Sequence, residues 1–547
     1  MKTYINQFVL RILCIAAMAL LVTSCKKTED QSAGQTRLFK PGEVKVSAGE
    51  SKAVITWTRP ILTGSTAIQY TVDISTDSLF STVKYTATVD TLGLIVTDQS
   101  LALRTKYFVR IKANATSTTP ESKYAVSSSF KLTGVQLFEA IQTSELKTEN
   151  VVLRFKATEG LTSITLTPKT GNVITIALTA ADAAIGSKAI AGLVAATTYD
   201  AELFAGNSSM GFTSFTTKVA RVFTVRLSPG DDLATAISSA ANGAVIGLNP
   251  GVYDLSAAVT FITQKTITIC STSDVPADTK VKFKEFDLEG TGAGISFAGI
   301  TFDGTEAAAV YFLNLIGSQA VITTPATFTD ISVDNCIVHT TVTTFMRADR
   351  ATNAADFKIG AITVNNSIVY DMGTGGAAYC TFHLNKLQFN TLKVSNSTFY
   401  NCGTGLVTAN VTYTAANIPA VDISYSTFNN FGGNAKYALF DANANPATFT
   451  FKNNILANTP KSGSVLAAAI RATASSSSLS FTNNNYFNLL TATSGTVLTF
   501  STASVSNNLT IDLGWNAASS TFTLPKESAL RTASTAGGAI GDPRWTY

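Results

Sequence analysis

Five short phrases place charged and amide side chains at matching positions. They are TFMRADR (Thr344–Arg350), TFHLNKL (Thr381–Leu387), GLVTANV (Gly405–Val411), ALFDANA (Ala438–Ala444) and VLAAAIR (Val465–Arg471). Aligned on Phe345, Phe382, Leu406, Leu439 and Leu466, the position two residues on reads Arg347, Leu384, Thr408, Asp441 and Ala468. The position four residues on reads Asp349, Lys386, Asn410, Asn443 and Ile470. As adjacent strands about 4.8 Å apart, these phrases put Arg347, Asp349, Lys386 and Asp441 on one surface strip roughly 15 Å long. His383 and Arg350 lie beside it. Such a strip suits two chemistries. Asp349, His383, Asp441, Asn410 and Asn443 can hydrogen-bond a polar ligand. Lys386 can act as a base if Arg347 or Arg350 beside it lowers its pKa. Phe345 has the same parity as Arg347, so the pattern leaves open which face the strip takes. Metal chemistry has less to work with. The chain has only two histidines, His339 and His383, which excludes a three-histidine zinc site. No cysteine pair has metal-ligand spacing. Asp303, Asp334, Asp349, Asp371, Asp422 and Asp441 stand singly, as neither a calcium cage nor the paired acids of a glycoside hydrolase.

The elements that position this strip are announced by a second, regular phrase. It reads ISVDNCIVH at Ile331, ITVNNSIVY at Ile362, LKVSNSTFY at Leu392, VDISYSTFN at Val421, FTFKNNILA at Phe449 and LSFTNNNYF at Leu479. Its turn residues are Asn335, Asn366, Asn396, Tyr425, Asn453 and Asn483, at steps of 31, 30, 29, 28 and 30 residues. A period in this range signals a stacked repeat. Each copy has apolar residues at period two, then Asn, then another apolar residue: strand, tight bend, strand. A coil that winds around joins parallel strands without helices, which predicts a right-handed parallel β-helix. The asparagine column forms a structural ladder between neighbouring coils rather than a ligand site.

At 547 residues the chain is too long for one ordinary domain. Charged residues are 14%, below the usual quarter, and Ser, Thr, Asn, Ala and Gly fill the difference, as in β-rich extracellular proteins. A net charge of +4 gives no reason to expect nucleic acid as a partner. Lys2 and Arg11 precede an apolar run, Ile12–Val22, too short for a comfortable membrane span. The following Leu21-Val22-Thr23-Ser24-Cys25 resembles a bacterial lipobox. That resemblance implies a signal peptide over 1–25, acylation of Cys25 and attachment to outer-membrane lipid. Lys26 at the next position fits release to the outer membrane, and Lys26–Asp30 resembles the charged tags of surface-exposed lipoproteins. Residues 26–40 read as a linker. Once Cys14 leaves with the signal, Cys270, Cys336, Cys380 and Cys402 remain; they allow three full disulfide pairings or four buried thiols.

Residues 41–133 alternate in short strands, with Trp57 on the second and Leu103–Tyr107 resembling the tyrosine corner of a fibronectin type III domain. Residues 134–219 repeat the plan, with Phe155 in the aromatic place and Tyr199 as the corner tyrosine. From 220 to 547 the texture is that of the β-helix. Asp231 or Asp232 can cap a short helix carrying Leu233, Ala236 and Ile237, followed by NGAVIGL and PGVY. This order resembles the opening of pectate-lyase-like β-helices, with the helix plugging the end of the coil. Gly299 stands at the Asn position of an earlier coil. IGDPRW (Ile540–Trp545) resembles the ending of β-helix lipoproteins from polysaccharide-degrading bacteria, which predicts that Trp545 covers the far end. The fold class is therefore all-β: two fibronectin type III-like sandwiches, then a parallel β-helix with an N-terminal capping helix.

Pectate-lyase-like families bind uronate polysaccharides in a groove on one β-helix face. The resemblance therefore implies a surface lipoprotein that binds polysaccharide within a glycan-utilisation system, with other proteins of that system as partners. The alternative is a lyase of the pectate or alginate kind. It would use Lys386, Arg347 or Arg350 as base, with Ca2+ as the cofactor such lyases commonly use. A structural or adhesive stalk is the third reading. Fold alone does not transfer activity.

Overall fold

The structure is a computed structural model that describes residues 37–546 apart from 65–66, 377–378, 412–417 and 501–502. The signal segment, Cys25 and most of the linker lie outside the described residues. The chain forms two compact units. One contains the first sandwich with Phe155–Gly186 and Asp200–Ser214; the other contains Glu139–Arg154, Ser187–Tyr199 and the chain from Phe215.

The first sandwich has seven strands: β1 (Lys45–Ala48), β2 (Lys52–Thr56), β3 (Tyr70–Ser75), β4 (Val83–Val89), β5 (Gly93–Thr97), β6 (Phe108–Ala113) and β7 (Ala125–Val126). They form two antiparallel sheets, ordered β1-β2-β5 and β4-β3-β6-β7, the arrangement of a fibronectin type III domain. Period-two alternation sends Ile55, Val72, Val109 and Ile111 inward. Trp57 is buried edge-on against Tyr70, with ring centroids 5.4 Å apart. The Tyr107 hydroxyl accepts the Ala102 N–H at 2.9 Å, closing the expected corner. The second copy pairs β8 (Val151–Arg154) with β11 (Ser187–Ile190). Its other sheet is ordered β10 (Ile174–Ala177), β9 (Ser163–Pro168), β12 (Thr198–Ala205), β13 (Ser208–Thr216). Here Tyr199 accepts the Val194 N–H at 2.9 Å.

The β-helix is built from three parallel sheets, one strand of each per coil. The first carries the repeat phrase and the second follows the Asn bend. The third contains Thr260–Thr263, Phe286–Glu289, Tyr311–Ile316, Thr344–Arg347, Phe382–His383, Val407–Thr408, Lys436–Asn443 and Leu466–Ala472. Inward Val, Ile, Leu and Phe form one continuous core; Phe297 and Phe302, for example, pack at 4.7 Å. Most phenylalanines are spent here rather than on the surface.

The bend residues adopt the left-handed conformation that Asn tolerates: φ is +51° at Asn335, +50° at Asn366, +51° at Asn396, +49° at Tyr425, +59° at Asn453 and +55° at Asn483. The expected ladder holds in part: Asn366 Nδ2 donates to Asn335 Oδ1 at 3.2 Å and Asn396 Nδ2 to Asn365 Oδ1 at 3.0 Å, whereas the Asn453 and Asn483 amides donate to Thr535 and Ala533 of the C-terminal tail. Gly299 takes the same place at φ +68°, where a Cβ would lie 3.0 Å from Asp274. A second ladder stands after the second sheet: Asn401 donates to Asp371 and Asn430 to Asn401, at 2.9 and 2.7 Å.

The capping helix spans Leu233–Ser239, with Asp232 accepting the Thr235 N–H and with Leu233 and Ile237 buried in the core. Lys265 closes its other end by donating to the carbonyls of Ile237, Ser238 and Ala240. Cys270, Cys336, Cys380 and Cys402 are buried free thiols, and Cys336 and Cys402 belong to the β-helix core.

The C-terminal tail departs from expectation. Trp545 does not plug the far end; the tail runs back along the flank of the solenoid at the Asn bend. Gly541 N–H donates to Asn453 O, Asp542 N–H to the Thr427 hydroxyl, and Trp545 Nε1 to the Thr398 hydroxyl at 2.7 Å. The bend carbonyls, hydroxyls and amides supply partners for a strap that an open coil end lacks.

Candidate functional site

The third sheet carries an unbroken outward polar column. Its backbone register places Asp287, Asn314, Arg347, His383, Thr408, Asp441 and Arg471 opposite one another on seven successive strands. At the usual inter-strand spacing the column is roughly 30 Å long. The side chains are linked almost end to end. Asn314 Nδ2 donates to Asp287 Oδ1 at 3.1 Å. Arg347 donates through Nε to Asp349 and through Nη1 to the Tyr311 hydroxyl at 3.0 Å. His383 Nε2 lies 3.2 Å from Asp349 Oδ2. Thr408 donates to Asn385 Oδ1 at 2.8 Å, and Asn410 Nδ2 to Asp441 Oδ2 at 2.8 Å. Arg471 grips Asp441 with two bonds, Nε to Oδ1 at 2.7 Å and Nη2 to Oδ2 at 2.8 Å. Tyrosines border the cations: the Arg347 guanidinium sits over Tyr311 and Tyr379, and that of Arg471 over Tyr437 at 4.6 Å.

Electrostatics follow from this pairing. Burial opposes ionisation of Asp349, but hydrogen bonds from His383 and Arg347 outweigh it and hold the carboxyl at about 2. At the other end Glu285 hydrogen-bonds Asp287. Burial and that neighbouring carboxylate push Glu285 up to about 8, and burial raises Asp287 as well. Both acids therefore hold their protons more firmly than a free carboxyl would.

Sequence alignment and structure agree on much of this strip and differ in register. Arg347, Asp349, His383, Asn410 and Asp441 come together. However, Arg347 stands opposite His383 rather than Leu384, because Met346, not Phe345, pairs with Phe382. Phe345, Met346 and Phe382 are all buried, so matching aromatic to aromatic shifted the alignment by one. Likewise Arg471, not Ala468, faces Asp441, because irregular pairing in Lys436–Asn443 absorbs residues. Lys386 leaves the strip: its Nζ donates to Ala351 O at 2.8 Å and so ties down the loop after Arg347. Asn443 is a bend residue at φ +50° whose N–H donates to Asp441 Oδ1. Arg350 lies at the Glu285–Asp287 end, where its charge acts on both acids.

Glu285 and Asp287 form a hydrogen-bonded acid pair that was not among the candidate residues. Their signal was the phrase KEFDLEG, in which Glu285, Asp287 and Glu289 alternate with apolar Phe286 and Leu288. Asn314, Tyr311, Tyr379, Asn385 and Tyr437 had no periodic signal, since loops of unequal length bring them in. Among the described residues no three His, Cys, Asp or Glu lie together to hold a metal ion. Among them, too, no helix is long and apolar enough to cross a membrane.

A family model described as "Domain of unknown function (DUF4957)" matches residues 251–402, a stretch that includes Asp287, Asn314, Arg347 and His383. No curated protein matches the chain. Among solved structures, the crystal structure of chicken CNTN1 FN1-FN3 domains is similar at 14% identity and a TM-score of 0.17, over 34% of this chain and 66% of that one. A two fibronectin type III domain segment from chicken tenascin is similar at 15% identity and a TM-score of 0.17, over 33% of this chain and 99% of that one. In residues 251–402 the chain is thus similar to the DUF4957 family.

Proposed function

We propose that the β-helix binds a polysaccharide along the polar column of its third sheet. The observation that carries this reading is the column itself. Seven consecutive strands present hydrogen-bonding side chains in one line, edged by Tyr311, Tyr379 and Tyr437. Largely buried ion pairs such as Arg347–Asp349 are costly to build relative to apolar residues. Their persistence along one face favours a ligand, and a repeating strip suits a repeating ligand. Sugars fit by chemistry, since hydroxyls pair with carboxylates, amides and guanidinium groups while C–H faces pack on tyrosine.

The LVTSC segment supports placing the protein on the outer membrane of a bacterium, facing outward and lipid-anchored through Cys25. The two sandwiches then serve as spacers within a glycan-utilisation system. The lyase alternative is not favoured. The Lys386 ammonium is engaged by Ala351 O, and Arg347 is held by Asp349 and Tyr311, so neither is free to take a proton.

Native gels containing single polysaccharides test the reading. The soluble chain from Lys26 is expected to be retarded by at least one of them, and to release no unsaturated product absorbing in the ultraviolet. Free migration through a broad panel would defeat it, whereas rising absorbance would reinstate the lyase.

A further inference from the structure

We infer that the ligand is an uncharged glycan, anchored by neighbouring hydroxyls at the Glu285–Asp287–Asn314 end of the column. This rests on the reading that the column binds polysaccharide, and it goes beyond that reading by naming the chemical class and the anchoring residues.

The strand Phe286–Glu289 sends Phe286 and Leu288 into the core and leaves Glu285 and Asp287 on the outer side, in hydrogen-bonding contact. On the next strand Asn314 gives one amide hydrogen to Asp287, but its Oδ1 has no partner although the residue is only 2% exposed. A bare buried acceptor is costly until a donor reaches it. A sugar hydroxyl is such a donor, and a second hydroxyl on the adjoining carbon can donate to the Asp287 carboxylate.

Charge then separates the glycan classes. A uronate needs an unoccupied cation. Arg347 already serves Asp349 and Tyr311, and Arg471 serves Asp441 through two bonds. The remaining cation is Arg350, whose Nε is likewise buried without a partner. Its charge acts on Asp287 and Glu285, yet burial still raises both carboxyls, so this end of the column disfavours negative charge even with Arg350 beside it. A ligand carboxylate would bring a further acidic group to the same buried place. Hydroxyls add none, and Arg350 Nε is left to donate to a hydroxyl or ring oxygen. The other titratable groups near this end are Glu289, held by Thr263 and Gln319, and Tyr311.

The arrangement also carries a pH signature. Glu285 holds its proton until about 8. Above that the end gains a negative charge and Glu285 can no longer donate to Asp287, so the anchor loosens.

Titration calorimetry on the soluble chain from Lys26 tests this. The ligands are neutral glycans (xylan, mannan, galactan, β-glucan) and uronates (pectate, alginate), below and above the Glu285 transition. Wild type is expected to bind a neutral glycan more tightly than either uronate and to lose about tenfold in affinity across the transition. Glu285→Gln, which keeps a donor without a titratable proton, is expected to bind with little pH dependence. Glu285→Leu is expected to lose about tenfold at neutral pH. Tighter binding to a uronate, or an equal pH-dependent loss in Glu285→Gln, would overturn the inference while leaving polysaccharide binding intact. Binding to none of the panel would defeat the underlying reading instead, and this inference with it.

Discussion

Asp441 accepts both forks of Arg471 and the amide of Asn410, and its carboxylate is almost closed to solvent. Asp441→Ala leaves that guanidinium and amide unpaired. Because Arg471 remains a third exposed, the expected loss is about 2 kcal/mol, less than for a fully buried pair. Thermal unfolding checks the stability, and gel retardation checks the expected loss of binding. Asp349 gives an acid-side prediction. Its carboxyl is lowered in the fold, so the stabilisation it gives is present above the ordinary carboxylate range and fades as pH falls toward about 2. Asp349→Asn should flatten that acid limb in pH-dependent unfolding. Glu285 has the opposite sign: its pKa is raised, so its contribution is complete below the ordinary range and lost as pH rises through about 8. Glu285→Gln should therefore raise the melting temperature relative to wild type more at high pH than at low pH.

Side-chain type was legible at this scale, whereas exact register was not. Charged and amide residues stand out in a chain this poor in charge, which is why Arg347, Asp349, His383 and Asp441 could be found. The third-sheet strands Phe382–His383 and Val407–Thr408 are two residues long, too short for alternation to fix a face. Lys386 shows the consequence. Its spacing places it in line, but its side chain turns back to Ala351.

The recurring elements are the bends. Asn366 holds φ +50° and donates to Asn335 Oδ1, two features that Asn supplies together. Asn366→Ala should cost about 2 kcal/mol, through left-handed strain and the lost ladder bond. Asn366→Gly removes the strain and keeps only the second loss, so it should unfold at a temperature between alanine and wild type. The tail is an element with no period of its own. It is fixed by Asp542, which accepts from the Thr398 hydroxyl and Arg544 Nε at 2.7 Å each, and by Arg544, which reaches Asn366 Oδ1. Gly541, at φ +82°, could not carry a Cβ without meeting Ile455 at 2.7 Å. Its motif was legible as a motif, but its course was not. Its bonds to Asn453, Thr427, Thr398 and Asn366 join residues 82 to 178 positions apart, and only the folded coil brings those together. Deleting the chain after Ile540 should expose this flank, seen as faster proteolysis between 515 and 540 with the remaining coils intact.

At the scale of the molecule, the sheets that repeat most regularly do the structural work, and the least regular sheet carries the candidate site. The first sheet announces itself in the sequence because every coil solves the same packing problem with the same residue types. The third sheet varies because its outward residues differ from coil to coil. On the proposed function, this varied face is the one that binds a glycan. The most direct measurement compares wild type with the double variant Asp441→Ala/Arg471→Ala, which removes an ion pair together and leaves neither partner stranded. Both are run in native gels containing the same panel of polysaccharides. Binding along the column predicts that wild type is retarded by at least one glycan and that the double variant, folded by circular dichroism, runs free of it. Equal retardation of the two proteins, or no retardation of either across the panel, would contradict it.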